Sequence, residues 1–303
     1  MRKILFDTDL LGDDLMALFS MARDSETEIV GVTAYGRRVS SLDRCRMTSV
    51  FLKEVGFRGV RLVPGAAHPL VQEPLPGCRY CDNVLSALIE SWNEKDFGDN
   101  PIDTSLSAAE FIAGTIRNNP GEISLLCTGP LTNVALAVSL YPELPSLVRE
   151  TVIMGGLYSV MGNSRALVEA NMYNDPEAAE IFFKNFRNVM IVPLDCTLKV
   201  LMRTDELTNA DTHSIRGIVS SCCQSHLDRG DDAVMPMHDV LAYLVMKDPS
   251  LVETRRCNVK IELRSAESRG AMCFDWNGKE QIFCTEVDTE RAKQLYRRLT
   301  GGV

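Results

Sequence analysis

Short runs of β type recur along this chain, at residues 3–6, 29–33, 60–63, 123–127, 152–154 and 189–192, and stretches of helical character separate them. This alternation restricts the fold more than any other feature. Consecutive strands joined through helices pair in parallel, and a parallel sheet has to be covered by helices on both faces. Residues 13–22, after the first run, and 131–140, after the fourth, are apolar on most sides, as helices packed onto such a sheet must be. Beyond Pro193 the pattern predicts helices over 215–226 and 239–246, β segments over 258–263, 271–274 and 281–284, and a closing helix over 289–299. No internal repeat, Pro/Gly/Ser-rich linker or long charge run divides the chain. It therefore reads as one large α/β domain over residues 1–303, a mostly parallel central sheet flanked by helices. The stretch 65–104 is the least regular and reads as a long excursion forming part of a site wall.

Composition narrows the function. With 41 acidic against 32 basic residues the net charge is -9, which argues against a protein that binds phosphate backbones or anionic membranes and in favour of small-molecule partners. Asp7 interrupts the N-terminal apolar run too early for a secretory signal, and no stretch is apolar enough to span a bilayer, so a cytoplasmic protein is expected. The ten cysteines then read mostly as small buried hydrophobes kept reduced. Cys78-Arg79-Tyr80-Cys81 could join Cys222, Cys223 or His226 around zinc, but a second ligand pair at matching spacing is lacking, and loop cysteines are the default reading.

The chemistry concentrates where the first strand ends. Asp7-Thr8-Asp9-Leu10-Leu11-Gly12-Asp13-Asp14 places four carboxylates within eight residues. Asp13 and Asp14 alone would be ordinary at a helix start, where acids offset the positive end of the dipole. Four in one place repel one another unless a cation neutralises them, so a hard divalent ion with oxygen ligands is the economical inference. In a parallel sheet ligands sit beyond the carboxyl ends of the strands. There the other strands run into Thr128-Gly129-Pro130-Leu131-Thr132-Asn133, Met154-Gly155-Gly156 and Pro193-Leu194-Asp195-Cys196-Thr197, turns rich in glycine, proline or hydroxyl groups. Gly162-Asn163 with Glu169-Ala170-Asn171 offers donors and acceptors for hydroxyls. Asp239 either caps the following helix or supplies a distant metal carboxylate, with His238 beside it as an acid. His68, His213 and His226 read as surface residues.

Taken together these motifs make the chain resemble the nucleoside hydrolases of the inosine/uridine-preferring family over nearly its whole length. Asp7-Thr8-Asp9 with Asp13-Asp14 resembles the family's N-terminal aspartate motif, and 129–133 and Met154-Gly155-Gly156 resemble its middle signatures. Gly162-Asn163, Glu169, Asn171, Asp175-Pro176-Glu177-Ala178-Ala179, His238-Asp239 and Ser268-Arg269-Gly270 follow in register. The resemblance implies one Ca²⁺ held by Asp9, Asp14, Asp239 and the Thr128 carbonyl, with Asp9 taking the proton of the attacking water. It further implies that Asp13, Asn163, Glu169, Asn171 and Met154 contact the substrate, that His238 protonates the departing base, and that the protein is a homodimer or homotetramer. The substrate implied is a small nucleoside or related N-riboside.

Departures from the family pattern are as informative. Leu10-Leu11 stand where Pro-Gly is usual, Ala170 where a phenylalanine is common, and residues 77–83 replace a glycine-rich loop that commonly contributes to base binding, which leaves the base open. Arg37-Arg38 follow Gly36 where the family usually has Gly-Asn. An arginine fork suits a phosphate, a carboxylate or the local aspartates. One that faces the site would favour a substrate with an anionic group such as a 5′-phosphate; otherwise both point to solvent or pair with surface acids. Two further readings compete: a metal- and ribose-binding homologue that has lost turnover, and a phosphatase of haloacid-dehalogenase type. The latter resembles this chain in Asp7-Thr8-Asp9 but expects threonine close behind, where Leu10-Leu11 stand.

Overall fold

The computed structural model describes residues 1–10, 12–37, 39–72, 89–90, 92, 100–203 and 234–301. Strand β1 (Arg2–Thr8) is buried from Ile4 onward and faces apolar packing on both sides. Ile4 and Phe6 join one core and Leu5 the other, the two-residue period of a strand sandwiched between helical layers. Helix α1 (Gly12–Arg23) follows, with Leu15, Met16, Ala17, Leu18, Phe19 and Met21 all buried, which is why its sequence is apolar on most sides. Then come β2 (Thr27–Ala34), α2 (Ser41–Glu54), β3 (Leu62–Pro64), α3 (Ala108–Asn118), β4 (Ile123–Cys127), α4 (Thr132–Leu140), a short α5 (Leu144–Leu147) and β5 (Glu150–Met154). Helices α6 (Ala170–Asn174) and α7 (Pro176–Asn185), strand β6 (Met190–Val192) and a single turn α8 (Leu194–Thr197) complete the first two-thirds. The remainder supplies a small antiparallel pair, β7 (Leu201–Arg203) with β8 (Val234–Pro236). Helix α9 (His238–Lys247), strands β9 (Val252–Ile261), β10 (Met272–Asp275) and β11 (Gln281–Val287), and α10 (Thr289–Thr300) follow.

Among the described residues the main sheet runs in the order β10-β9-β11-β6-β5-β4-β1-β2-β3. From β11 to β3 every neighbouring pair is parallel; β9 and β10 add antiparallel strands at one edge. The chain winds from β1 outward to β2 and β3, then returns to β1's other side for β4, β5 and β6. That reversal opens a crevice at the carboxyl ends of β1 and β4, where open α/β sheets bind ligands. The expected fold class is the one observed. Strand β9 begins six residues before the expected 258–263 segment because its first half, Glu253, Thr254, Arg255 and Arg256, is exposed and carries no apolar pattern; main-chain pairing to β11 alone makes it a strand. The expected 215–226 helix, His213, His226, the cysteines of the CxxC motif and the 77–83 loop lie outside the described residues. Cys45, Cys127, Cys196, Cys257 and Cys284 are free and buried, as the small-hydrophobe reading expects, whereas Cys273 is exposed. No helix among the described residues is long and apolar enough to cross a membrane.

Candidate active site

Two helices aim their amino termini at the crevice. Asp13 and Asp14 open α1 and Asp239 opens α9, and one ligand oxygen from each lies within 4.8 Å of the others. Asp14 is 1% and Asp239 3% exposed. Both helices are long enough to present a positive dipole end, which favours anions there. That help is partial. Burial, then the repulsion of Asp9 and Asp13, pushes the Asp14 carboxyl well above the usual carboxylate range, although Thr128 and Thr8 hydroxyls donate to it. Burial, followed by Asp13, Asp14 and Asp9, does the same to Asp239, which shares a hydrogen bond with Asp13. The donors are all oxygens, crowded, desolvated and short of positive charge, and they fit a hard divalent cation.

Thr8 and Thr128 converge on one atom: both hydroxyls donate to Asp14 Oδ1, Thr128 at 2.5 Å. The β4 turn reaches that close to β1 because residue 129 is glycine; a Cβ there would stand 2.7 Å from the Asp9 nitrogen. Leu10, just beyond, has φ of +50°, a conformation disfavoured for a branched side chain, and its N–H bonds the Thr8 hydroxyl. Asp7 has separate work. Its Oδ1 accepts from Thr33 at 2.6 Å and Asn133 at 2.9 Å, tying β1 to β2 and α4, and burial pushes its carboxyl up to about 7 despite both bonds.

On the adjacent wall, Glu169 caps α6. Its carboxylate accepts from the main-chain N–H groups of Asn171, Gly156 and Met172 at 2.7, 3.0 and 3.2 Å, yet burial still pushes it up to about 7. Asn171 donates through Nδ2 to the carbonyls of Thr128 and Met154, at 2.8 and 3.2 Å, and so joins the ends of β4 and β5. Asn163 is exposed and accepts from Ala170 N–H at 2.8 Å. At the start of α9, His238 Nδ1 lies 2.7 Å from Thr197 Oγ1.

Residues 4–294 match the family described as inosine-uridine preferring nucleoside hydrolase. The chain belongs to that family. It is 29% identical over 275 residues to uridine nucleosidase 1 of Arabidopsis thaliana, covering 86% of this chain and 78% of that one. It is also 29% identical over 290 residues to the inosine-uridine preferring nucleoside hydrolase of Leishmania major, covering 91% and 88%. A solved plant nucleoside hydrolase superposes with a TM-score of 0.85 at 24% identity, covering 99% of each chain. This nucleoside hydrolase is therefore an N-glycosyl hydrolase of a metal-dependent family, and its three convergent aspartates are where a metal could bind.

Within this hydrolase the sequence-predicted residues gather at one end of the sheet, but not symmetrically. Asp13, rather than Asp9, completes the close triplet with Asp14 and Asp239. Asp9 turns its Oδ2 to Arg37 Nη2, 2.9 Å away, while Arg37 Nη1 donates to Asn174 Oδ1 at 3.1 Å. Arg37 thus faces the site, with the local aspartate as its partner; Arg38 lies outside the described residues. Sequence reasoning missed three supports. Fully buried Arg44 donates to the Asp9 main-chain carbonyl, Asn174 receives Arg37, and Thr197 meets His238. Thr197 lay in a turn already marked by its place after a strand, but Arg44 and Asn174 carry no signal short of the fold.

Proposed function

We propose that this chain cleaves the N-glycosidic bond of ribonucleosides, giving ribose and free base, with Ca²⁺ held by Asp9, Asp14, Asp239 and the Thr128 carbonyl. The observation that carries the reading is the convergence of the Asp13, Asp14 and Asp239 carboxyl groups, the last two buried, at the point where the sheet reverses. When bound, Ca²⁺ supplies oxygen coordination for the sugar hydroxyls and a water and lowers the pKa of that water. Asp9 accepts the proton of the attacking water. Cleavage puts positive charge on the sugar ring, which the Glu169 carboxylate and the Asn171 amide oxygen offset, with Asn163, Met154 and Asp13 holding the sugar in place. His238 gives a proton to the departing base as the imidazolium, in which Nδ1–H donates to the Thr197 hydroxyl and the Nε2 proton is the one transferred.

The test is base and ribose release from a nucleoside panel with uridine, inosine and their 5′-monophosphates, with and without chelation, beside p-nitrophenyl riboside. Wild type should hydrolyse at least one plain nucleoside and stop on chelation. His238→Ala should slow nucleosides by about a hundredfold while sparing p-nitrophenyl riboside, whose phenolate leaves without a proton. Full activity in excess chelator would overturn the metal assignment, and equal losses on both substrate types would remove His238 as the acid.

A further inference from the structure

Every carboxylate in the crevice wants positive charge, and Asp9 already has one cation. The Arg37 and Asp9 side chains are 14% and 6% exposed, so their 2.9 Å contact is poorly screened by water. The Arg37 fork is braced at its other nitrogen by Asn174, at the end of α6, whose own amide donates to the Ala170 carbonyl at 2.7 Å. Its Nε is buried with no partner among the described residues. Charge on Asp9, rather than a fully satisfied cradle, therefore holds the guanidinium where it is.

We infer that Arg37 is a positioning residue and a built-in counter-cation of the aspartate site: it fixes Asp9 through Oδ2 and competes with the divalent ion for the charge of that carboxylate. The inference rests on the metal reading above and concerns a residue outside the ligand set. Because like charges repel strongly where water is scarce, a guanidinium beside Asp9 weakens uptake of a divalent ion.

Calcium titration by calorimetry, repeated as terbium luminescence, on wild type, R37N, R37Q and R37K tests this, with circular dichroism confirming the fold of each. R37N and R37Q should bind Ca²⁺ at least about tenfold more tightly than wild type, while R37K, which keeps the charge, should stay within about threefold. The two neutral variants should also gain a larger calcium-induced rise in Tm. Equal or weaker Ca²⁺ binding by both neutral variants would overturn the inference and leave the metal site standing. Tightening in R37K as large as in R37N would overturn it too, because charge would then not be the cause. If no protein in the series, wild type included, binds Ca²⁺ at millimolar concentration, the metal reading falls and the inference with it.

Discussion

Helices α1 and α9 lie side by side with both amino termini at the crevice and both carboxyl termini at the opposite end of the sheet, and the two ends are wired differently. At the carboxyl end, Asp24 meets Lys247 at 2.6 Å and the Tyr243 hydroxyl at 2.6 Å, Lys247 also reaches Glu26 at 2.7 Å, and Arg2 pairs with Glu150 at 3.3 Å. Burial pushes the Asp24 carboxyl up, but the bonds from Lys247 and Tyr243 outweigh it and hold the group below the usual range. At the amino end the same helices present Asp13, Asp14 and Asp239 with neighbours that are mostly other acids, and the shifts run the other way. Both ends bury carboxylates. The carboxyl end offsets Asp24 with Lys247, whereas at the amino end Arg37 pairs with Asp9 and the repulsion among Asp13, Asp14 and Asp239 outweighs what the protein supplies, which marks that end as a place that trades stability for the capacity to bind.

The sharpest way to break this comparison is to remove a carboxylate from the uncompensated end. Asp239→Asn, and likewise Asp14→Ala, should lose bound divalent ion by elemental analysis and lower kcat/KM by about three orders of magnitude. Asp239→Asn should nevertheless raise the Tm measured in chelator, since the burial and crowding that oppose ionisation of a carboxyl there no longer act. A fall in Tm would mean the cluster is stabilising in its own right. Asp9→Asn should lower kcat by about a hundredfold or more with KM within a few-fold, because an amide fills the space without accepting a proton; unchanged kcat at saturating substrate would take Asp9 out of the mechanism.

At the compensated end, Lys247→Met leaves Asp24 buried without its cation. It should cost about 2 kcal/mol, less than a fully buried pair because Lys247 is partly exposed. Denaturant unfolding would measure this, and activity should stay within about twofold. Activity lost in step with stability would show that the two ends are not independent.

The smallest effect is in pH. Glu169 and Asp7, raised to about 7, and Asp14, Asp239 and Asp175, raised in the same direction, hold protons in the folded chain that the unfolded chain has already released above its carboxylate range near pH 4. The folded state then binds more protons, and stability falls as pH rises from about 4 through 7. Asp24 is lowered and acts in the opposite sense, losing its contribution only as pH falls below that window. In chelator, Tm should drop by more than about 2 °C between pH 5.5 and 7.5, the change that about 1 kcal/mol makes in a chain of this size. Saturating calcium should flatten the slope, and an equally steep fall with calcium would separate those protons from the metal site.

Much of this was legible in the sequence because local patterns carry it. The runs at 3–6, 123–127 and 189–192 lie in a parallel sheet covered on both faces, so they are predominantly apolar, and β4 is read to the residue. The aspartates after β1 stood out because four carboxylates in eight residues exceed what a helix start needs, and their company with Asp239, more than 200 residues away, followed from resemblance rather than from spacing. Strand order, the reversal at β1, and the parallel alignment of α1 and α9 that separates a compensated end from an uncompensated one belong to tertiary structure. So do the turn of Arg37 onto Asp9, the bracing of that arginine by Asn174, and the meeting of Thr197 with His238. Sequence patterning records which faces leave water; which charged groups then share a low-dielectric space depends on distances between segments far apart in the chain, and those distances exist only once the sheet has closed.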